Sequence, residues 1–140
     1  NTSPDTPELR KNPVFMKFQD NSQRPNAFHP DVADAIDDVI DTKIDMLDAH
    51  VSQMYEWLPW VAGNLESVPK GAAERKKWLR EARAGQPTPA VRAALAKWYG
   101  PENGKAVRHA EAFEICEYGT RPDEPLIRKL FPFLPKEGGK

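Results

Sequence analysis

The chain has 140 residues, with 20 basic and 21 acidic side chains and a formal net charge of −1. This balance creates no field that would attract nucleic acid or an anionic membrane, and no apolar run reaches the roughly 18 residues that span a bilayer. The single cysteine, Cys116, has no partner for an internal disulfide, which fits a cytoplasmic location.

The first 37 residues contain one clear strand signal. Residues 1–13 are polar, include prolines and begin without methionine, so we expect a surface connection within a longer chain. The segment PVFMKFQD at 13–20 alternates and is rich in aromatic residues, which favours a short strand. NSQRPNAFHP at 21–30 predicts a loop. DVADAID at 31–37 fits either a short strand, with Val32 and Ile36 inward, or the approach to the next helix.

The strongest pattern predicts a helix at about 38–56. Its apolar residues recur at steps of three and four, which places them on one face of a helix. Asp37 or Asp38 is a suitable N-cap, Asp41 suits the first turn, and Pro59 should close the segment. The apolar face comprises Ile36, Val39, Ile40, Ile44, Leu47, Val51, Met54 and Leu58.

The second half predicts mainly helices. We expect helices at 71–85, with Gly85 as the C-cap, and at 88–100, where Thr88 is the cap and Gly100 ends the helix. Residues 123–135 should begin as a short helix, whereas 107–119 fits helix and strand equally poorly. The fold class predicted from these patterns is mainly α with one or two short strands.

One edge of the helix at 38–56 could bind a polar ligand. Lys43, His50 and Trp57 recur every seven residues, and Gln53 lies just beyond them. An imidazole, an amide and an ammonium on an edge without acids can hydrogen-bond a polar ligand. The alternative is that they form only the polar border of a packed helix.

The sequence predicts no complete metal or nucleophile site. His29 and Asp31 supply two ligands at most, whereas a catalytic zinc takes three protein ligands. His109 and Cys116 lie seven residues apart, which matches no structural zinc spacing, and the apolar context of Cys116 favours a packed thiol.

Residues 10–60 contain the run HPDV and, after it, the helical segment DVIDTKIDMLDAHVSQ. With these features they resemble the C-terminal section of the PIG-L (LmbE-like) deacetylase family. The resemblance is carried by the "HPDV…ID" run and by DVIDTKIDMLDAHVSQ, which has the family pattern Lys-x-x-x-Leu-x-x-His-x-Ser-Gln. Residues 107–119 match more loosely, since HAEAFEICEYG at 109–119 is similar to the closing Ala-Glu-Ala-Phe segment of the family. Residues 61–106 look like a helical insertion.

This resemblance implies the C-terminal part of an α/β Rossmann-like domain whose zinc-dependent site hydrolyses N-acetyl groups on amino-sugar conjugates. The family's Ala-His-Pro-Asp-Asp-Glu metal motif is absent, since 28–33 has Phe-His-Pro-Asp-Val-Ala. We therefore expect no catalytic residue or metal ligand in this segment. Zinc would be bound by a missing N-terminal catalytic part of the same protein, with His50 and Gln53 as substrate-binding residues. Residues 1–60 would end the deacetylase domain, and 61–140 would form its mainly helical cap.

A rival hypothesis is a non-catalytic helical module that binds a protein partner. Four tryptophans could act as anchors, since aromatic side chains are enriched at interfaces. They are Trp57, Trp60, Trp78 and Trp98.

Overall fold

A computed structural model describes residues 5, 7, 10–21 and 23–136, and its strands form one antiparallel sheet. Strand β1 spans Val14–Phe18, β2 spans Val32–Ala35 and β3 spans Ala110–Gly119. The order is β1-β3-β2, so the last strand in sequence lies at the centre. The chain is therefore a mixed α/β fold.

The predicted number of strands, one or two, is wrong, because 107–119 supplies a third and longer strand. Alanine and glutamate in this segment favour a helix locally, but the segment pairs with a strand on each side. Phe113 lies opposite both Phe18 and Val32. The sheet thus takes strands from both sides of the predicted division at residue 60.

The continuous helix predicted at 38–56 is also wrong. Helix α1 spans Ile40–Asp48, a turn follows, and a π-helix spans Ser52–Trp57 before α2 at Leu58–Val61. Pro59 lies inside α2 and does not close the segment. A proline cannot donate to the carbonyl four residues earlier and collides with it in a regular α-helix, and the wider π-turn before Pro59 relieves this conflict.

The start of α1 differs from the prediction as well. Its N-cap is Val39, and no side chain caps it. Asp37 instead accepts hydrogen bonds from the backbone N–H groups of Arg108 and His109, both at 2.9 Å. The carboxylate therefore fixes the chain just before β3 against the end of β2.

The remaining helices largely follow the sequence signals. Thr88 accepts a hydrogen bond from the N–H of Val91, and Asp123 accepts one from Leu126, so both side chains cap helices as expected from their type. Gly100 ends one helix at φ 80°, a conformation that favours glycine. After a 3₁₀ turn at Leu65–Ser67, the helices are α3 Ala72–Arg83, α4 Pro89–Tyr99, α5 Pro101–Ala106 and α6 Glu124–Leu130.

Helix α4 holds the sheet to the helical layer. Its buried residues contribute to two clusters, one around Leu95 with the alanines of β2 and β3, and one around Trp98 with Val32 and Ile127. Trp98 Nε1 donates to the carbonyl of Asp31 at 2.8 Å. This helix therefore covers the outer edge of β2, which would otherwise be open to pairing.

A third cluster lies between α1, the π-helix and α3. Ile44, Tyr55 and Leu79 are buried there. Ion pairs join the same helices at their surface, between Lys76 and Asp45 at 2.5 Å and between Arg80 and Asp41. Such exposed pairs contribute little, so the apolar cluster is the main contact that holds α1 on α3.

None of the helices in the described part of the chain is long and apolar enough to cross a membrane.

Candidate functional site

An apolar cavity of about 520 Å³ lies between α1 and the sheet. The buried side of α1 faces the core through Ile40 and Ile44, which leaves the next flank of the helix open. Met46 is 65% exposed on this flank. We call this space the apolar cavity; it is lined by Phe18, Ile36, Val39, Thr42, Lys43, Met46, Leu47, His50 and Glu111.

An ion pair closes one side of the apolar cavity. Lys43 Nζ on α1 lies 2.8 Å from Glu111 Oε1 on β3, and both side chains are partly buried. Partial burial reduces screening by water, so this pair is stronger than a fully exposed one. It fixes the lysine of the predicted polar edge to the central strand.

A second cavity of about 470 Å³ lies on the other side of this ion pair. It is bounded by the end of β1 and by the connection between α3 and α4. Amide and hydroxyl groups line much of it, and its charged residues balance as two acids, Asp20 and Glu111, and two bases, Lys43 and Arg83. We call it the polar cavity; its uncharged polar lining is Gln19, Asn21, Gln86 and Thr88.

The two predicted substrate-binding residues occupy different positions. His50 follows the turn after α1, is exposed and lines the apolar cavity. Gln53 is exposed in the π-helix and is not part of the described lining of that cavity. The structure therefore brings His50 together with Lys43 around one cavity but leaves Gln53 outside it.

A hydrogen-bonded pair between β2 and α4 was not predicted from the sequence. Tyr99 Oη donates to Asp34 Oδ1 at 2.6 Å and accepts from the N–H of Ala35 at 3.0 Å. Burial raises the pKa of the Asp34 carboxyl, although the tyrosine hydrogen bond opposes this shift. Burial, assisted by Asp34, raises the pKa of Tyr99 to about 12.

Asp34 and Tyr99 lie beside a third cavity, of about 590 Å³, together with Asp37 and Asp38. The residues of the pair are 65 positions apart, so no local spacing could reveal the contact. The phenol oxygen accepts a hydrogen bond from the Ala35 N–H group, which would otherwise lack a partner at the edge of β2. We assign the pair a structural role.

The described residues do not fit a zinc ion. His29 is 80% exposed, and its Nδ1 lies 3.5 Å from Asp31 Oδ1. The second oxygen of Asp31 accepts the N–H of Ile115 at 2.8 Å. Within the described residues, no group of three or more His, Cys, Asp and Glu side chains could hold a metal. Zinc binding elsewhere in the protein thus stays a prediction.

Cys116 lies on β3 and is partly exposed, with its Sγ 3.7 Å from Glu117 Oε2. The predicted apolar surroundings are wrong, because the adjacent cavity is lined by the charged residues Lys17, Glu117 and Arg121. The Cys116 thiol therefore lies among charged groups, with the Glu117 carboxylate as its hydrogen-bond partner.

Comparison of the chain with family models, curated proteins and solved structures gives no match. The resemblance of DVIDTKIDMLDAHVSQ to the PIG-L deacetylases therefore stays a prediction. The roles proposed below for His50 and Gln53 rest on that resemblance and on where each side chain lies.

Proposed function

We propose that this chain is the C-terminal segment of a zinc-dependent, cytoplasmic hydrolase that removes N-acetyl groups from amino-sugar conjugates. It forms one wall of the substrate pocket, and another part of the same Rossmann-like protein binds the metal. The chain itself contributes binding contacts, with His50 and Gln53 as the predicted substrate-binding residues, and no catalytic group.

The observation that carries this proposal is the position of the family-like motif on an open cavity. Lys43 and His50 belong to the motif, and both line the apolar cavity. Phe18 and Met46, two exposed apolar side chains, lie on the same cavity. Concave, mainly apolar spaces with a few polar groups are the usual form of a ligand site.

The proposal is tested with the native protein that contains these residues. Acetate release from an N-acetylglucosamine glycoside is measured together with bound zinc. We expect activity that a chelator removes and that added zinc restores. A native protein that binds zinc but releases no acetate would contradict the reaction, and one that is active without any metal would contradict the zinc requirement.

Two substitutions test whether this segment contacts substrate. His50→Ala and Gln53→Ala should raise KM or lower kcat while the zinc content stays unchanged, because neither side chain is expected to bind the metal. Glu56→Ala, an exposed change in the same π-helix, is the matched control and should leave both constants unchanged. Loss of zinc in either variant would show that this segment helps to bind the metal, which would contradict the proposed location of the zinc site.

The second candidate function is a protein-interaction module, and exposed tryptophans favour it. Trp57 and Trp60 are exposed, the latter to 67%. However, Trp98 is buried and Trp78 packs on the cluster around Tyr55, so these two are not surface anchors as first expected. A photo-crosslinker at position 60 distinguishes the two functions, since the module requires a crosslink to a different protein and the deacetylase segment does not.

A further inference from the structure

An exposed apolar surface lies outside the apolar and polar cavities. It is formed where the π-helix continues into α2, and its side chains occupy positions i, i+3 and i+4 of this helical segment. Side chains with that spacing share one side of a helix. We call it the tryptophan surface; it consists of Trp57, Trp60 and Val61, which are 53%, 67% and 58% exposed.

The opposite side of the same helical segment is already packed. Tyr55 is buried in the cluster with Leu79, and its ring centre lies 6.2 Å from that of Trp78 on α3. Pro59 is buried as well. The contact with α3 thus uses the inner side of the segment, and the tryptophan surface is left to face water. Grouped apolar exposure marks a binding surface, and tryptophan is enriched among the residues that dominate binding energy.

The charge around the tryptophan surface has one sign. Residues 51–69 contain no lysine or arginine, and their two charged side chains are Glu56 and Glu66. Glu56 precedes Trp60 by four residues, so the two are neighbours on the helix, and Glu66 lies in the 3₁₀ turn that follows α2. Both carboxylates are exposed, and neither forms an ion pair within the described residues. This acidic surrounding disfavours nucleic acid and anionic lipid and favours a cationic partner.

Aromatic rings elsewhere in this chain already hold cations. The guanidinium carbon of Arg75 lies 5.3 Å from the centre of the Tyr55 ring, and that of Arg128 lies at the same distance from the ring of Trp98. The attraction arises because the face of an aromatic ring carries negative charge. The two rings of the tryptophan surface offer the same faces, and no cation of the described chain lies over either of them.

We infer that the tryptophan surface binds a basic, arginine-bearing segment of a partner protein. The guanidinium groups of that segment stack on Trp57 and Trp60. They also pair with the carboxylates of Glu56 and Glu66, while apolar side chains of the segment cover Val61. Arginine fits this surface better than lysine, because its planar group stacks on aromatic rings and forms two parallel hydrogen bonds to a carboxylate. The inference goes beyond the proposed deacetylase and does not depend on it.

The inference is tested by fluorescence anisotropy with the native protein that contains these residues. The probe is a short fluorescein-labelled peptide in which arginine and leucine alternate. Two matched peptides carry lysine or glutamate in place of arginine. We expect the arginine peptide to bind at least about threefold more tightly than the lysine peptide, and the glutamate peptide not to bind. Affinity for the arginine peptide should fall as the salt concentration rises.

Two substitutions locate the binding on the tryptophan surface. Trp60→Ala should weaken binding of the arginine peptide by about tenfold or more, as truncation of a central aromatic anchor does. Glu56→Gln should weaken it about two- to fivefold and should reduce its salt dependence. The matched controls are Tyr118→Ala, an aromatic residue that is 72% exposed on β3, and Glu102→Gln, an exposed acid on α5. Both controls should leave Kd unchanged.

Four results would overturn the inference. The first is equal affinity for the arginine and glutamate peptides, and the second is an equal effect of Trp60→Ala and Tyr118→Ala. The third is sedimentation of the protein with vesicles of equimolar phosphatidylcholine and phosphatidylserine that Trp60→Ala abolishes, since the surface would then bind lipid. The fourth is self-association in analytical ultracentrifugation that the same substitution abolishes, since a second copy would then cover the surface.

Discussion

Tyr99 on α4 donates a hydrogen bond to Asp34 on β2 and accepts one from the next residue of the same strand, Ala35. A single phenol thus satisfies a partly buried carboxyl and a backbone N–H group at the strand edge. Because unsatisfied buried polar groups are costly, this contact should stabilise the fold beyond its apolar packing.

Tyr99→Phe removes that hydroxyl, so the Asp34 carboxyl and the Ala35 N–H group each lose a hydrogen bond. We expect the free energy of unfolding to fall by about 1–3 kcal/mol, the usual cost of an unsatisfied buried group. Urea denaturation measures the change. Tyr118→Phe is the control, since Tyr118 is exposed, and its effect should stay within about 0.5 kcal/mol. Equal effects of the two substitutions would argue against the assigned hydrogen bonds.

Asp34→Asn keeps an acceptor for Tyr99 and removes the charge. Because burial raises the pKa of Asp34 in the folded chain, the folded state binds this proton more tightly than the unfolded state. The contribution of this bound proton to stability is therefore fully present below the pKa of an unfolded aspartate, about 3.9, and is lost as the pH rises through the pKa of Asp34 in the folded chain. We expect Asp34→Asn to be more stable than the wild type at neutral pH, with a difference that shrinks towards about pH 3. Denaturation curves at several pH values measure it, and a constant difference would contradict the shift.

Gly104→Ala should destabilise the contact between α4 and α5. A Cβ at this position would lie 2.8 Å from backbone atoms of Leu95 and Ala96, which cannot move independently of the helix. We expect a loss of about 1–3 kcal/mol, as for other overpacked sites. Gly85→Ala is the matched control, because its Cβ would meet nothing within 4 Å. Thermal unfolding should separate the two, and equal melting temperatures would refute the close approach.

Ile44→Ala should reduce stability more than Leu47→Ala. Ile44 is only 1% exposed within the cluster between α1 and α3, so its truncation should cost about 2–5 kcal/mol. Leu47 is partly buried and also lines the apolar cavity, so less of its contact surface is lost. Urea denaturation of both variants checks the order, and the reverse order would mean that α1 is rotated on α3.

The helical elements were largely predictable because their signals are local. Thr88, Pro89 and Gly100 mark both ends of α4 within one short segment, and the structure confirms all three. The apolar period also identified Ile40 and Ile44 as core residues. Capping and periodicity act within a few residues, so they can be recognised without knowledge of the fold.

The central strand and the break after α1 were not predictable in the same way. The alanines and glutamates of β3 favour a helix until β1 and β2 pair with it, and those strands lie far away in sequence. The π-helix depends on how Pro59 fits against the turn before it. The two cavities depend on the pairing of Lys43 with Glu111, 68 positions away, which no spacing rule could provide.

Because α4 covers the outer edge of β2, the two edges of the sheet differ in whether another strand can be added. Trp98 donates to the carbonyl of Asp31 and Tyr99 accepts from the N–H group of Ala35, so two backbone groups that an added strand would pair with at this edge are already hydrogen-bonded. In the part of the chain that the structure describes, β1 forms the other edge of the sheet, so we expect a further strand, whether from elsewhere in the same polypeptide or from an engineered fusion, to join beside β1. Fusions intended to extend this architecture should therefore be designed around Val14–Phe18.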